Sequence, residues 1–208
     1  MVYNGLDDAK NSLLVLYEQF ESVTDEFKKT AACKIGCATC CINVGNVDIT
    51  TLEGMIIRDR ISQFDRSVRR EIRKKLDRNM AEREKGNLAR CAFLHGENTC
   101  LIYDIRPFSC RRVYSIEPCD GGQPVIHRNV MELAKFTIHK LQQLDRIGYS
   151  GHMSYILALL EKTDFARDYE IGKFAPEKIM SFGKIHGIMI NQFATEKFLL
   201  ESNSGSGH

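Results

Sequence analysis

No uninterrupted apolar run in this sequence approaches the roughly 20 residues that a membrane-spanning helix needs. A helical membrane protein is therefore excluded, and no membrane partner is expected. An apolar signal-peptide core is also missing from the N-terminus, so the expected location is cytoplasmic. In that reducing compartment, crowded cysteines bind metal more often than they pair as disulfides. Charge of one sign is not in excess either: 29 Lys and Arg face 27 Asp and Glu, for a net charge of +2. That balance removes any global argument for a nucleic-acid or membrane-surface partner. No strand runs through a glycine-rich turn into a helix, as a nucleotide-type cofactor fold would require. Gly121-Gly122 is a lone pair in a loop flanked by Pro118 and Pro124. Internal repeats and low-complexity linkers are absent as well.

What remains is a chain of 208 residues, 43% hydrophobic and 27% charged, the size and balance of one ordinary globular domain. It can bury a sizeable core, so metal is not needed merely to rescue a tiny fold. Leu6, Leu13, Leu16, Tyr17, Phe20, Val23 and Phe27 recur at helical spacing and predict an amphipathic helix over 6–30. A cysteine-dense loop follows and runs to Gly45. Val47 and Ile49 flank Asp48 in a short alternating piece. Thr50 with Glu53 has the spacing of a capping box and should start a helix. Ser62 and Asp65 form a weaker pair that could open a charged helix over about 65–84. Residues 86–128 carry scattered Gly, Pro and Asn and read as irregular chain, with a short strand at Leu101-Ile102-Tyr103. Few of their apolar residues are periodic, so this inset is expected to need its metal to fold. Helices are expected again over about 129–146 and 152–162, with another ending the chain.

The fold class is thus mostly α, a single helical domain with an irregular cysteine-rich metal-binding inset. The domain is expected over 1–203, with the cysteine core at about 31–122 and C-terminal helices at about 129–202. Ser204–His208 reads as a tag remnant.

Eight cysteines carry the chemistry. Cys33, Cys37, Cys40 and Cys41 crowd into nine residues; Cys91, Cys100, Cys110 and Cys119 follow. Soft thiolates suit zinc, copper(I) or iron–sulfur clusters. Spacings of two and three residues let one tight loop aim several sulfurs at a point, and Gly36 lets the backbone bend there. Neighbouring side chains diverge, so in the Cys40-Cys41 pair either one ligates while the other packs or does redox work, or the two serve different metal atoms. Eight thiols would allow two four-sulfur sites, but one site with spare cysteines is the simpler reading. The leading ligand candidates are Cys37, Cys40, Cys100 and Cys110, followed by Cys33, Cys41 and Cys91. Cys119 and His95 stay open. His127, His139, His152 and His186 have no ligand spacing and read as structural, and Tyr103 reads as core. Arg106 and Arg111 would offset the negative charge of a thiolate centre, and Pro107 would set the turn that presents Cys110.

Cys91-x-Phe93-Leu94, Cys100-x-Ile102-Tyr103 and Arg106-Pro107-x-x-Cys110-Arg111, together with the Cys40-Cys41 loop, resemble the CxxCxxCC, or YkgJ-like, family over about residues 33–112. That resemblance implies a zinc- or iron-chelating domain. The family name implies two residues between the first two cysteines, whereas three separate Cys33 from Cys37. An iron–sulfur cluster, of the 4Fe-4S type, is favoured because the first loop packs its thiols as cluster ligands do; zinc, which more often takes two well-spaced cysteine pairs, is the alternative. The corresponding functions are electron transfer or a protein-modification enzyme, against a non-catalytic zinc-stabilised binding module. Cys33-x3-Cys37-x2-Cys40 also has the spacing of radical S-adenosylmethionine enzymes. Thr39 stands where those carry an aromatic residue, and their barrel needs strands that this sequence lacks. The basic run Arg66–Arg78 is interleaved with Asp65, Glu71 and Asp77 and reads as a solvated helix face, so no specific nucleic-acid binding is expected.

Overall fold

The apolar stripe of the first segment forms helix α1, Leu6–Lys29, in a computed structural model that describes residues 5–34, 36–44 and 47–195. The expectations placed on Gly45, on residues 1–4 and 196–203 and on the tail 204–208 lie outside the described residues. Leu13, Tyr17 and Phe20 are buried on α1, while Val23, expected in the same stripe, faces solvent. A turn of π-helix, Cys40–Val44, follows the first cysteines.

Strand β1, Asp48–Thr50, leads directly into α2, Thr51–Ser62. The capping box is present. Glu53 donates its backbone N–H to Thr50 Oγ1 at 3.2 Å, and its carboxylate accepts the Thr50 N–H at 2.7 Å. Two otherwise orphaned donors at the helix start are thereby satisfied. Helix α3, Arg66–Glu84, starts where expected but without a box. Ser62 instead donates to the Asp59 carbonyl at 2.6 Å, bonding back into the end of α2.

The inset differs from its sequence reading. Its strands are β2, Leu94–His95, and β3, Thr99–Cys100, paired as a short hairpin; Leu101-Ile102-Tyr103, expected as a strand, is a turn. One helical turn, α4, Phe108–Arg111, carries Cys110. Helix α5, Arg128–Leu144, falls as expected. Strand β4, Tyr149–His152, then lies between β1 and β5, Met189–Ile190, in an antiparallel sheet. Helices α6, Met153–Leu160, α7, Thr163–Glu170, and α8, Met180–His186, fill the rest. The fold is mostly helical with two small sheets. Among the described residues no helix is long and apolar enough to cross a membrane.

Two apolar clusters meet at α2. Leu52 packs with α1 and α5, among Leu13, Phe20, Val130 and Leu141. Met55 and Ile57 pack on the other side with Ile72, Ile156 and Leu160. The crossing with α6 is close enough that α2 carries Gly54, where a Cβ would meet Leu160 Cδ1 at 2.8 Å and Ile156 Cγ2 at 3.0 Å. The inset contributes to both clusters: Phe93 and Ile102 to one, Phe108 and Tyr114 to the other. The inset thus has more hydrophobic anchorage than its sequence suggests. Its anchors are single large side chains at irregular spacing, which a search for periodicity misses.

Candidate metal centre

Each cysteine segment is pinned to its neighbours by backbone. The Cys91 N–H donates to the Cys41 carbonyl at 2.8 Å, joining the two segments directly. At the other end of the first segment, Ala32 N–H donates to the Ser115 carbonyl at 2.8 Å and Ser115 N–H donates to Cys33 Sγ at 3.3 Å. Ser115 is fully buried, and its hydroxyl accepts the Val125 N–H at 2.9 Å, which closes the loop bearing Cys119. Gly36 takes a φ of 85°, the left-handed bend expected of it.

Cys110 is presented by α4, whose first N–H, that of Phe108, donates to Glu53 Oε1 at 2.8 Å. The same carboxylate accepts Tyr17 O–H at 2.5 Å and Thr50 O–H at 3.1 Å. The capping glutamate of α2 therefore also sets the position of a cysteine 57 residues further on in the chain. Pro107 sits at the N-cap of α4, and its carbonyl accepts the Cys110 N–H at 2.9 Å.

The thiols fall into two groups. Cys40, Cys41, Cys91, Cys100 and Cys110 are half-buried and lie within reach of one another's charge. Burial pushes Cys91 up to about 11 and Cys110 well above its ordinary value, and the neighbouring sulfurs add to both. Burial also raises Cys100. Cys40 is the exception. A hydrogen bond from the Cys41 thiol pulls it down to about 6, with Arg106 helping, while the same bond drives Cys41 upward. A thiolate at Cys40 with its proton retained on Cys41 is what a single negative charge shared by adjacent sulfurs looks like. The second group is more open. Cys33 and Cys37 are exposed, and Cys33 feels Cys37 and Cys119 before Cys40. Cys37, ranked among the leading ligand candidates, stands here, on the rim.

Arg106 faces the deep group. It favours the thiolates of Cys40, Cys100 and Cys110, its guanidinium lies 4.3 Å over the Tyr103 ring, and its Nε is buried without a hydrogen-bond partner. Tyr103, expected in the core, is 64% exposed and serves as that platform. Arg111 is occupied elsewhere. It donates to the carbonyls of Arg106 at 2.7 Å and Asp104 at 2.9 Å, pairs with Glu21 at 2.9 Å and lies 4.5 Å over Tyr17. It shapes the 104–106 loop and so aims Arg106. His95 is exposed on the β2–β3 hairpin, 3.9 Å from Glu71. His127 and His152 act as N-caps of α5 and α6, a use of histidine that sequence spacing does not reveal.

Among the described residues no three His, Cys, Asp or Glu side chains already converge closely enough to enclose an ion. The donor set nevertheless fits a soft metal: thiols from both segments lie within reach of one another's charge, and Arg106, paired with Glu21 at 3.6 Å, adds positive charge beside them.

Comparison with curated proteins and with solved structures gives no match. A family model does match: CxxCxxCC, described as "Putative zinc- or iron-chelating domain", over residues 32–140. The matched stretch takes in all eight cysteines, including Cys119, and continues into α5. Since it spans just over half of the sequence, the chain belongs to the CxxCxxCC family.

Proposed function

We propose that this protein holds one iron–sulfur centre, of the 4Fe-4S type, at the deep thiol group, and that it works in electron transfer or as part of a protein-modification enzyme. The electrostatic coupling of Cys40, Cys91, Cys100 and Cys110, with Arg106 adding positive charge, supports the reading. When bound, such a cluster supplies one-electron chemistry. The chain supplies the rest. The hydrogen bond from Cys41 favours a thiolate at Cys40. Arg106 offsets the excess negative charge, and α4 and the β2–β3 hairpin hold Cys110 and Cys100 against the first segment.

One feature favours a cluster over a structural zinc. The inset is anchored by Phe93, Ile102 and Phe108, so hydrophobic burial already helps to hold it. Anaerobic purification followed by metal, sulfide and visible-absorbance measurements tests the proposal. A brown protein with iron and sulfide is expected; a colourless protein with stoichiometric zinc would replace it by the zinc-stabilised binding module.

A further inference from the structure

A cleft of about 610 Å³ opens between α3 and the segment that runs from Leu88 into the β2–β3 hairpin. This is within the range of small-ligand sites, roughly 300–1,000 Å³. Its wall includes Cys91, a member of the deep thiol group. The cleft therefore borders the candidate metal centre.

The charges lining it do not cancel. Glu71 accepts from Lys75 at 2.7 Å and lies 3.9 Å from His95. Glu82 is held by Asn87 at 2.9 Å and Lys85 at 3.2 Å, with the more distant field of Arg78 added. Lys75 is tied further to the Leu94 carbonyl at 3.0 Å. Both acids thus have their own lysine. Two guanidinium groups remain: Arg78 from α3 and Arg90 from the facing segment line the cleft from opposite sides with no ion-pair partner among the described residues. A pair of planar, permanently charged forks across a cleft is suited to gripping the oxygens of phosphate or carboxylate.

We propose that this cleft is a binding site for a small organic anion, a phosphorylated or polycarboxylate compound, gripped between Arg78 and Arg90. Anion binding itself needs only the cleft. Its use as the substrate site of the centre rests on the proposed function above.

The test is calorimetric titration of the metal-loaded full chain with inorganic phosphate and with citrate at low ionic strength. Metal content is measured on every sample. Saturable binding is expected, and Arg78→Gln and Arg90→Gln should each weaken it by about tenfold, the loss of one charge-assisted hydrogen bond. Metal content should not change in either variant. Absence of saturable binding by both probes would overturn the proposal, as would binding that neither substitution weakens. An acidic peptide that binds while both small anions fail would also overturn it. If the purified protein holds no metal but the arginine-dependent binding persists, the cleft stands and only the metal reading falls.

Discussion

Glu53 illustrates how much one residue can carry. Its buried carboxylate takes hydrogen bonds from α1, from the start of α2 and from α4. Glu53→Gln keeps one oxygen and turns an N–H₂ toward donors, leaving buried groups unpaired at a cost of about 1–3 kcal/mol. Because α4 carries Cys110, metal occupancy should fall along with the melting temperature. A variant that melts lower but keeps full metal would uncouple Glu53 from the site. Asp145 makes a different prediction. Burial raises its carboxyl from 3.8 to about 7, although Leu52 N–H, Tyr169 O–H and Asn191 Nδ2 all donate to it. A folded-state value above the unfolded one means that the group stabilises fully below about pH 4 and loses that contribution as pH rises towards 7. Denaturant titrations of wild type and Asp145→Asn should therefore diverge across that window, with wild type declining more steeply. Parallel curves would show that Asp145 ionises in the fold as freely as in the unfolded chain.

At the scale of elements, the two cysteine segments are not equal partners. Cys110 sits on an anchored helical turn, whereas Cys37 sits on the exposed rim. Cys110→Ser should remove most of the bound metal, since a hydroxyl cannot stand in for a soft thiolate. Cys37→Ser should lose much less. Metal analysis of the two variants side by side decides it; equal losses would put Cys37 in the same shell. Helix α3 invites a separate test. Arg73 is paired with Glu161 at 2.8 Å and Lys75 with Glu71, so its charge is mixed as the sequence suggested. Any binding to duplex DNA should be weak and fall steeply with added salt. Tight binding that survives high salt would revive a nucleic-acid role.

For the whole molecule, the two apolar clusters share α2 and both reach into the inset. Gly54 lies where α2 meets α6. Gly54→Ala forces a methyl against Leu160 and Ile156 and should cost about 1–3 kcal/mol by overpacking, with metal content unaffected. Chelating the metal should leave far-UV circular dichroism close to unchanged. New protease cleavage should appear in the rim, around residues 33–37 and 119–122, and not throughout 86–115. General digestion of the inset would mean that its hydrophobic anchors do not hold it without metal.

Periodicity placed α1, the Thr50–Glu53 spacing placed the start of α2 and the charged run after Ser62 and Asp65 placed α3, because helix amphipathicity and end signals are local to the chain. The cysteine spacings, with Arg106 and Pro107, marked the metal chemistry for the same reason: thiol identity and order are properties of the sequence. Partition of the thiols into a deep group and a rim was not legible there. It follows from which groups meet across the fold: the Cys91 N–H with the Cys41 carbonyl, the Ser115 N–H with the Cys33 sulfur, and the Phe108 N–H with the Glu53 carboxylate. The anchoring of the inset was equally hidden, since Phe93, Ile102 and Phe108 follow no period and are buried only by helices distant in sequence. The small sheet joins Ile49 to Gly151 and Tyr149 to Ile190, short strands whose pairing depends on long-range contacts, and the surplus positive charge in the cleft exists only because the fold sets Arg78 and Arg90 along one cleft while their acidic neighbours are paired with lysines.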